Sequence, residues 1–161
     1  MAEDRFAACL AEVLRHEGGF VDDPRDAGGA TNLGVTLATL SRALGRPAGV
    51  AELKALTPDG AAPIYRRLYW GPAGCAQLAA GLDLMAFDTA VNMGVGEARR
   101  LLRQAGEGVD AEVAIRAIGA ARAARYRALK AFAVFGAGWL RRLDEVTALA
   151  LAQAGEGTQD A

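Results

Sequence analysis

The chain has 161 residues, 37 of them alanine, with 52% apolar and 23% charged side chains and a formal net charge of −1. That length can bury a core without disulfides or metals, and the composition excludes disordered, collagen-like and disulfide-framework proteins. One domain, or one domain with a small added lobe, is expected.

The longest stretches without charge, residues 27–41 and 68–82, are short and broken by glycines, the second by Gly71, Pro72, Gly74 and Gly81, so no helix spanning a bilayer and no stable membrane insertion are expected. Met1–Phe6 is acidic and mixed, with no basic start leading into an apolar run, so nothing marks the chain for Sec export. Cys9 and Cys75 could pair once, but free buried thiols are the expectation for a cytosolic product. With His16 the only histidine, neither a metal nor another cofactor is expected. Residues 1–96 carry 8 basic and 11 acidic side chains, residues 97–142 carry 10 and 4, and the tail only acids. The Arg-rich stretch is either a solvated helical face or a surface for an anionic polymer. No Cys/His finger or basic heptad accompanies it, so nucleic acid is not an expected partner.

In chain order, Phe6, Leu10, Val13 and Leu14 recur at helical spacing and predict an amphipathic helix over 3–17. Gly18-Gly19 stops it. Residues 20–34 are too rich in Gly, Asp and Pro for helix and predict a turn-rich loop or small hairpin. Thr36 caps a helix through Leu37, Leu40 and Leu44. Thr57-Pro58-Asp59 starts another, with Ile64, Tyr65, Leu68 and Tyr69 following. Asp83 reads as the cap of a third, with Leu84, Phe87 and Val91 inward. Alanine-rich helices are expected over 97–105, 111–134 and 138–152. The fold class is therefore mainly α: a helical bundle with a small β-hairpin after the first helix.

The chemistry points to Glu17. It lies four residues after Val13 and seven after Leu10, on the apolar face and in the last turn of its helix. Lost solvation and the negative end of the helix dipole both favour the protonated carboxyl, the form a general acid needs. The alternative is a glutamate that edges the core and reaches for water. Cleaving a glycosidic bond also takes a second polar group that stays ionised or orients water. Asp26 in the following loop and the Thr31 hydroxyl suit that task, with Asp23 an alternative to Asp26. Asp88 and Asn92, four apart on one helix, share a face; they either line a cleft and contact sugar or tie helices together. Tyr69 and Trp70 either stack on sugar rings or belong to the core; Trp139 reads as core and His16 as exposed.

His16-Glu17-Gly18-Gly19-Phe20-Val21-Asp22-Asp23-Pro24, followed by Asp26-Ala27-Gly28-Gly29-Ala30-Thr31-Asn32-Leu33-Gly34, resembles the signature of glycoside hydrolase family 108. Later blocks fit as well: Ile64-Tyr65, Tyr69-Trp70, Gly81-Leu82-Asp83 and Phe87-Asp88-Thr89-Ala90-Val91-Asn92-Met93-Gly94. Arg125-Tyr126 and Phe135 to Arg142 resemble the family's second segment, described as a predicted peptidoglycan-binding region. Phe20 stands where the family usually has Tyr, and Gly108-Val109-Asp110-Ala111-Glu112 lacks the usual Asp-Gly-x-x-Gly pattern.

The resemblance implies a lysozyme-like α+β fold, with a catalytic lobe over 1–96 and a helical lobe over 97–161 packed as one domain. It implies an N-acetylmuramidase of the endolysin kind, cleaving the β-1,4 bond between N-acetylmuramic acid and N-acetylglucosamine. Glu17 would be the acid, Asp26 and Thr31 its helpers, and Phe20, Asn32, Tyr69, Trp70, Asp88 and Asn92 the substrate contacts. The expected partner is peptidoglycan, met as a monomer held in the cytoplasm and released by a holin to act on the wall in the periplasm. A lytic transglycosylase making 1,6-anhydro ends and a non-catalytic wall-binding component of a phage-like particle are the rival readings.

Overall fold

The computed structural model describes residues 2–25 and 28–159, with side chains over 5–25 and 28–156. It is 73% helical with one two-stranded sheet, the mainly α class expected. Packing divides the chain into two compact units. One runs from Phe6 to Leu68; the other takes Tyr69 onward together with the start of the first helix.

In the first unit, helix α1 (Ala2–His16) buries Phe6, Leu10 and Val13, the stripe its spacing predicts. It ends one residue short of Glu17, whose N–H still reaches the Leu14 carbonyl at 3.1 Å. Beyond the glycines, Val21 and Thr31 exchange two backbone hydrogen bonds of 2.8 Å. Thr31 opens strand β1 (Thr31–Asn32), which pairs antiparallel with β2 (Val35–Thr36), Thr31 opposite Thr36 and Asn32 opposite Val35. The turn residues Leu33 and Gly34 have φ of 51° and 71°, the doubly left-handed signature of a type I′ hairpin. Helix α2 (Leu37–Leu44) starts as expected, with Thr36 Oγ1 accepting the Thr39 N–H at 3.1 Å. In α3 (Val50–Lys54) the Glu52 carboxylate reaches back to accept the Gly49 N–H at 2.9 Å. Thr57 likewise caps α4 (Pro58–Tyr65), accepting the Gly60 N–H at 3.1 Å. A π-helical turn, Arg66–Trp70, follows. Arg66 lays its guanidinium 4.2 Å over the Phe6 ring, a contact worth about 0.5–2 kcal/mol that clips the end of α4 to α1.

The second unit holds the short α5 (Gly71–Ala73), a 3-10 turn at Cys75–Gln77, and helices α6 (Leu82–Met93), α7 (Val95–Ala105), α8 (Ala111–Arg127) and α9 (Phe132–Gln159). Every residue of α6 from Asp83 to Ala90 is buried, so this helix forms the unit's centre, as an all-round apolar helix must. It comes so close to α9 that a Cβ on Gly81 would strike the Ala150 carbonyl, at a left-handed φ of 82°. Asp83 is not the cap. Gly81 occupies that position, while Asp83 is 2% exposed and accepts Arg5 Nε at 2.8 Å.

The last two helices also break elsewhere than expected. α8 stops at Arg127, and Gly136 and Gly138 are carried inside α9; Gly136 is hydrogen-only space beneath the Phe132 ring. Cys9 and Cys75 are buried and form no disulfide. Burial, and then the Asp83 charge, push the Cys75 thiol up to about 12. No helix among the described residues is long and apolar enough to cross a membrane.

Candidate active site

Glu17 stands, half-buried, where α1 gives out. The next residue docks the hairpin: the Gly18 carbonyl accepts the Leu33 N–H at 3.1 Å. Leu33 is the one described residue other than glycine with positive φ, a conformation that costs a branched side chain about 1–2 kcal/mol. Both its backbone polar groups are held from outside the hairpin. Gly18 takes the N–H, and the Tyr65 hydroxyl donates to the C=O at 2.7 Å. Tyr65 is the last residue of α4 and is 1% exposed.

Gly34 then does two things. Its φ of 71° is one that glycine adopts without strain. It also leaves room, because a Cβ there would lie 2.9 Å from Glu17 Oε2 and 2.5 Å from Tyr65 Oη. The carboxylate and the phenol thus converge on one α-carbon.

Other expected site residues gather on the same hairpin. Thr31 is half-buried on β1. Strand alternation turns its side chain to the face opposite Asn32. Asn32 goes inward: it is 6% exposed, and its amide donates to the carbonyls of Leu53 at 2.9 Å and of Lys54 and Leu56 at 3.3 Å. Those carbonyls lie at and just beyond the end of α3, so Asn32 fastens β1 to α3 and has no amide proton left to offer a sugar. Phe20 is half-buried, with the Lys54 ammonium 5.6 Å from its ring centre.

Of the two candidate loop carboxylates, Asp26 lies outside the described residues. Asp23 is paired with its neighbour. Its Oδ1 accepts the Arg25 backbone N–H and Nε, both at 2.9 Å, and Oδ2 accepts Nη2 at 2.8 Å. That arginine holds Asp23 below the usual carboxylate range.

The remaining expected contacts belong to the second unit. Asp88 is wholly buried and takes two arginines, Arg122 Nη2 at 2.8 Å and Arg142 Nη2 at 2.9 Å. Arg122, itself fully buried, also donates to Thr89 Oγ1 at 3.2 Å and to the Tyr126 hydroxyl at 3.0 Å. Asp88 therefore joins α6 to α8 and α9 and has no surface for a sugar. Trp70 is 3% exposed and meets Phe87 edge-on at 5.3 Å, so it too is core; Tyr69 is half-buried.

Asn92 is exposed and lines a cavity of about 430 Å³ with Glu97, Arg125, Tyr126 and Trp139. Its amide oxygen, turned to Arg142, accepts Nε at 3.0 Å and Nη2 at 3.2 Å. Trp139, expected in the core, is half-buried and stacks 6.0 Å from Phe135. Arg100 donates to Glu97 and, with Arg125 adding to the field, keeps that acid below its ordinary range. Sequence reasoning missed Tyr65. Its partner is 32 residues away, and no local pattern announces such a contact.

The arrangement presents one carboxyl group at the edge of a hairpin, with a buried phenol beside it and a threonine hydroxyl on the adjoining strand. Known proteins bear on what such an arrangement is for. The model of the family described as glycosyl hydrolase 108 matches residues 10–94, which include Glu17, the hairpin and Tyr65. No curated protein matches the chain. Among the six solved chains that do, the structure of Brucella abortus SagA superposes with a TM-score of 0.83 at 37% identity, covering 94% of this chain and 97% of that one. That likeness extends through the helices beyond residue 94, so both units lie within a shared fold, and the chain belongs to glycosyl hydrolase family 108.

Proposed function

We propose that this glycoside hydrolase is a muramidase, cutting the β-1,4 bond between N-acetylmuramic acid and N-acetylglucosamine in peptidoglycan. The observation that carries the reading is the placement of the Glu17 carboxylate against the Gly34 α-carbon and the Tyr65 hydroxyl, at the edge of the only hairpin among the described residues. Protonated Glu17 gives its proton to the glycosidic oxygen as the bond to the muramic acid C1 breaks. Water adds at C1 and its proton returns to the carboxylate.

A second carboxylate stabilises the oxocarbenium-like transition state or positions the water, helped by the Thr31 hydroxyl. Asp23 has both its oxygens engaged by Arg25, which favours Asp26 for that role. Phe20 and Tyr69 offer partly open rings for sugar faces, and Asn92 an exposed amide beside Trp139. The enzyme works as a monomer without a cofactor, is kept in the cytoplasm, and reaches the wall when a holin opens the membrane.

The test is mass spectrometry of soluble fragments from purified sacculi treated with the protein and with Glu17→Gln. Reducible N-acetylmuramic acid ends from the wild type, and none from the variant, are expected. Anhydro ends would make the enzyme a lytic transglycosylase. Binding without fragments would make it a wall-binding protein.

A further inference from the structure

We infer that Tyr65 is a positioning residue for Glu17, acting through the Leu33–Gly34 turn; this rests on the reading of Glu17 as the catalytic acid. A type I′ turn favours Asn, Asp or Gly at its first central position, and here that position is Leu33, at φ 51°. Leucine gains nothing from this conformation, so the turn is held by its two outside anchors. The Gly18 anchor lies beside Glu17 and ties the turn to the chain that carries the acid. The Tyr65 anchor comes from the end of α4, and its side chain is 1% exposed.

That burial makes the phenol a rigid peg. Its hydroxyl fixes the Leu33 carbonyl, the carbonyl fixes the plane of the Leu33–Gly34 peptide, and the Gly34 α-carbon forms the wall against which Glu17 Oε2 rests. Backbone held in a sparsely populated conformation persists where its surroundings over-determine it. A carboxylic acid must meet the glycosidic oxygen within hydrogen-bond reach, and a misplacement of about 1 Å costs on the order of a hundredfold in rate. The peg supplies that placement without touching substrate.

The experiment compares four proteins on purified sacculi: wild type, Glu17→Gln, Tyr65→Phe, and Tyr65→Phe combined with Leu33→Asn. Tyr65→Phe removes one oxygen and keeps the buried ring. It should lower kcat about tenfold or more with KM unchanged. Asn prefers the left-handed conformation that Leu33 is forced into, so the double variant should recover most of the lost kcat. A role for Tyr65 in stability alone would move the melting curve and not this kcat-against-KM split.

Full activity of Tyr65→Phe, while Glu17→Gln is dead, overturns the inference and leaves the muramidase reading intact. Loss that Leu33→Asn does not restore overturns the route through the turn. Activity in Glu17→Gln overturns the reading of the acid itself. Should Tyr65→Phe not fold, Gly34→Ala carries the test, because its methyl group would displace Glu17 and Tyr65 together; activity within twofold of wild type would then refute the positioning.

Discussion

Two carboxylates, each placed beside an apolar helical stripe, end in opposite circumstances. Asp88 lies in the middle of α6, is completely buried, and is held by Arg122 and Arg142. Glu17 lies just past the end of α1, is half-buried, and rests against a glycine. Helical phase alone does not separate them. The difference comes from what the backbone does next: α6 continues and seals Asp88 among other helices, whereas α1 stops at two glycines and turns its acid toward a hairpin. A carboxylate in mid-helix serves packing, and one at a helix end can serve a substrate.

The largest expected effect is on the exposed side of that comparison. Glu17→Gln is nearly isosteric and, if Glu17 is the general acid as proposed, should cut fragment release by about a thousandfold or more, while the melting midpoint stays put. Asp88→Ala should do the reverse. It leaves the buried Arg122 without its carboxylate, a change that costs about 3–5 kcal/mol and should lower the melting temperature by roughly 10 °C. Turnover per folded molecule should be preserved, and a large fall in kcat with an unchanged melt would place Asp88 in the chemistry after all.

Asn32→Ala falls between. It removes the side-chain donor shared by three carbonyls at and just beyond the end of α3 and should cost about 1–3 kcal/mol, read as a lower denaturant midpoint with an unchanged slope.

The smallest effect is one of pH. The Glu52 carboxyl is depressed from its ordinary 4.5 to about 2, first by Arg46 and then by the Gly49 N–H. A depressed acid contributes stability that is complete above its unfolded value and disappears as pH falls through the folded one. The wild type should therefore lose thermal stability between pH 4.5 and 2 more steeply than Glu52→Gln; parallel curves would show that the pair contributes nothing.

Local signals were legible in the sequence, and distant ones were not. The α1 stripe, the double-glycine stop, the hairpin and the Thr36 and Thr57 caps each depend on residues within a few positions of one another. Asp83 looked like a cap for the same local reason, but Arg5, 78 residues earlier in the chain, claims it. The expected gap between helices over 111–134 and 138–152 contains Gly136, and the Phe132 ring packed over that glycine inside α9 is not visible in the sequence. In the proposed site, Glu17 was singled out from phase and from the family signature together. Asn32 and Asp88 carried the right chemistry for sugar contacts, but their partners spend it on the fold. Tyr65 was visible as an aromatic at helical spacing and within a family block, neither of which shows that its hydroxyl holds the Leu33 carbonyl.

Cys75 bears on where such an enzyme can operate. Oxidants and disulfides are attacked by, and react with, the thiolate, and with its thiol at about 12 rather than 9, Cys75 holds roughly a thousandfold less of that form than an ordinary cysteine would. An oxidising environment therefore leaves this sulfur chemically quiet. The protein should keep its activity in air without added reductant.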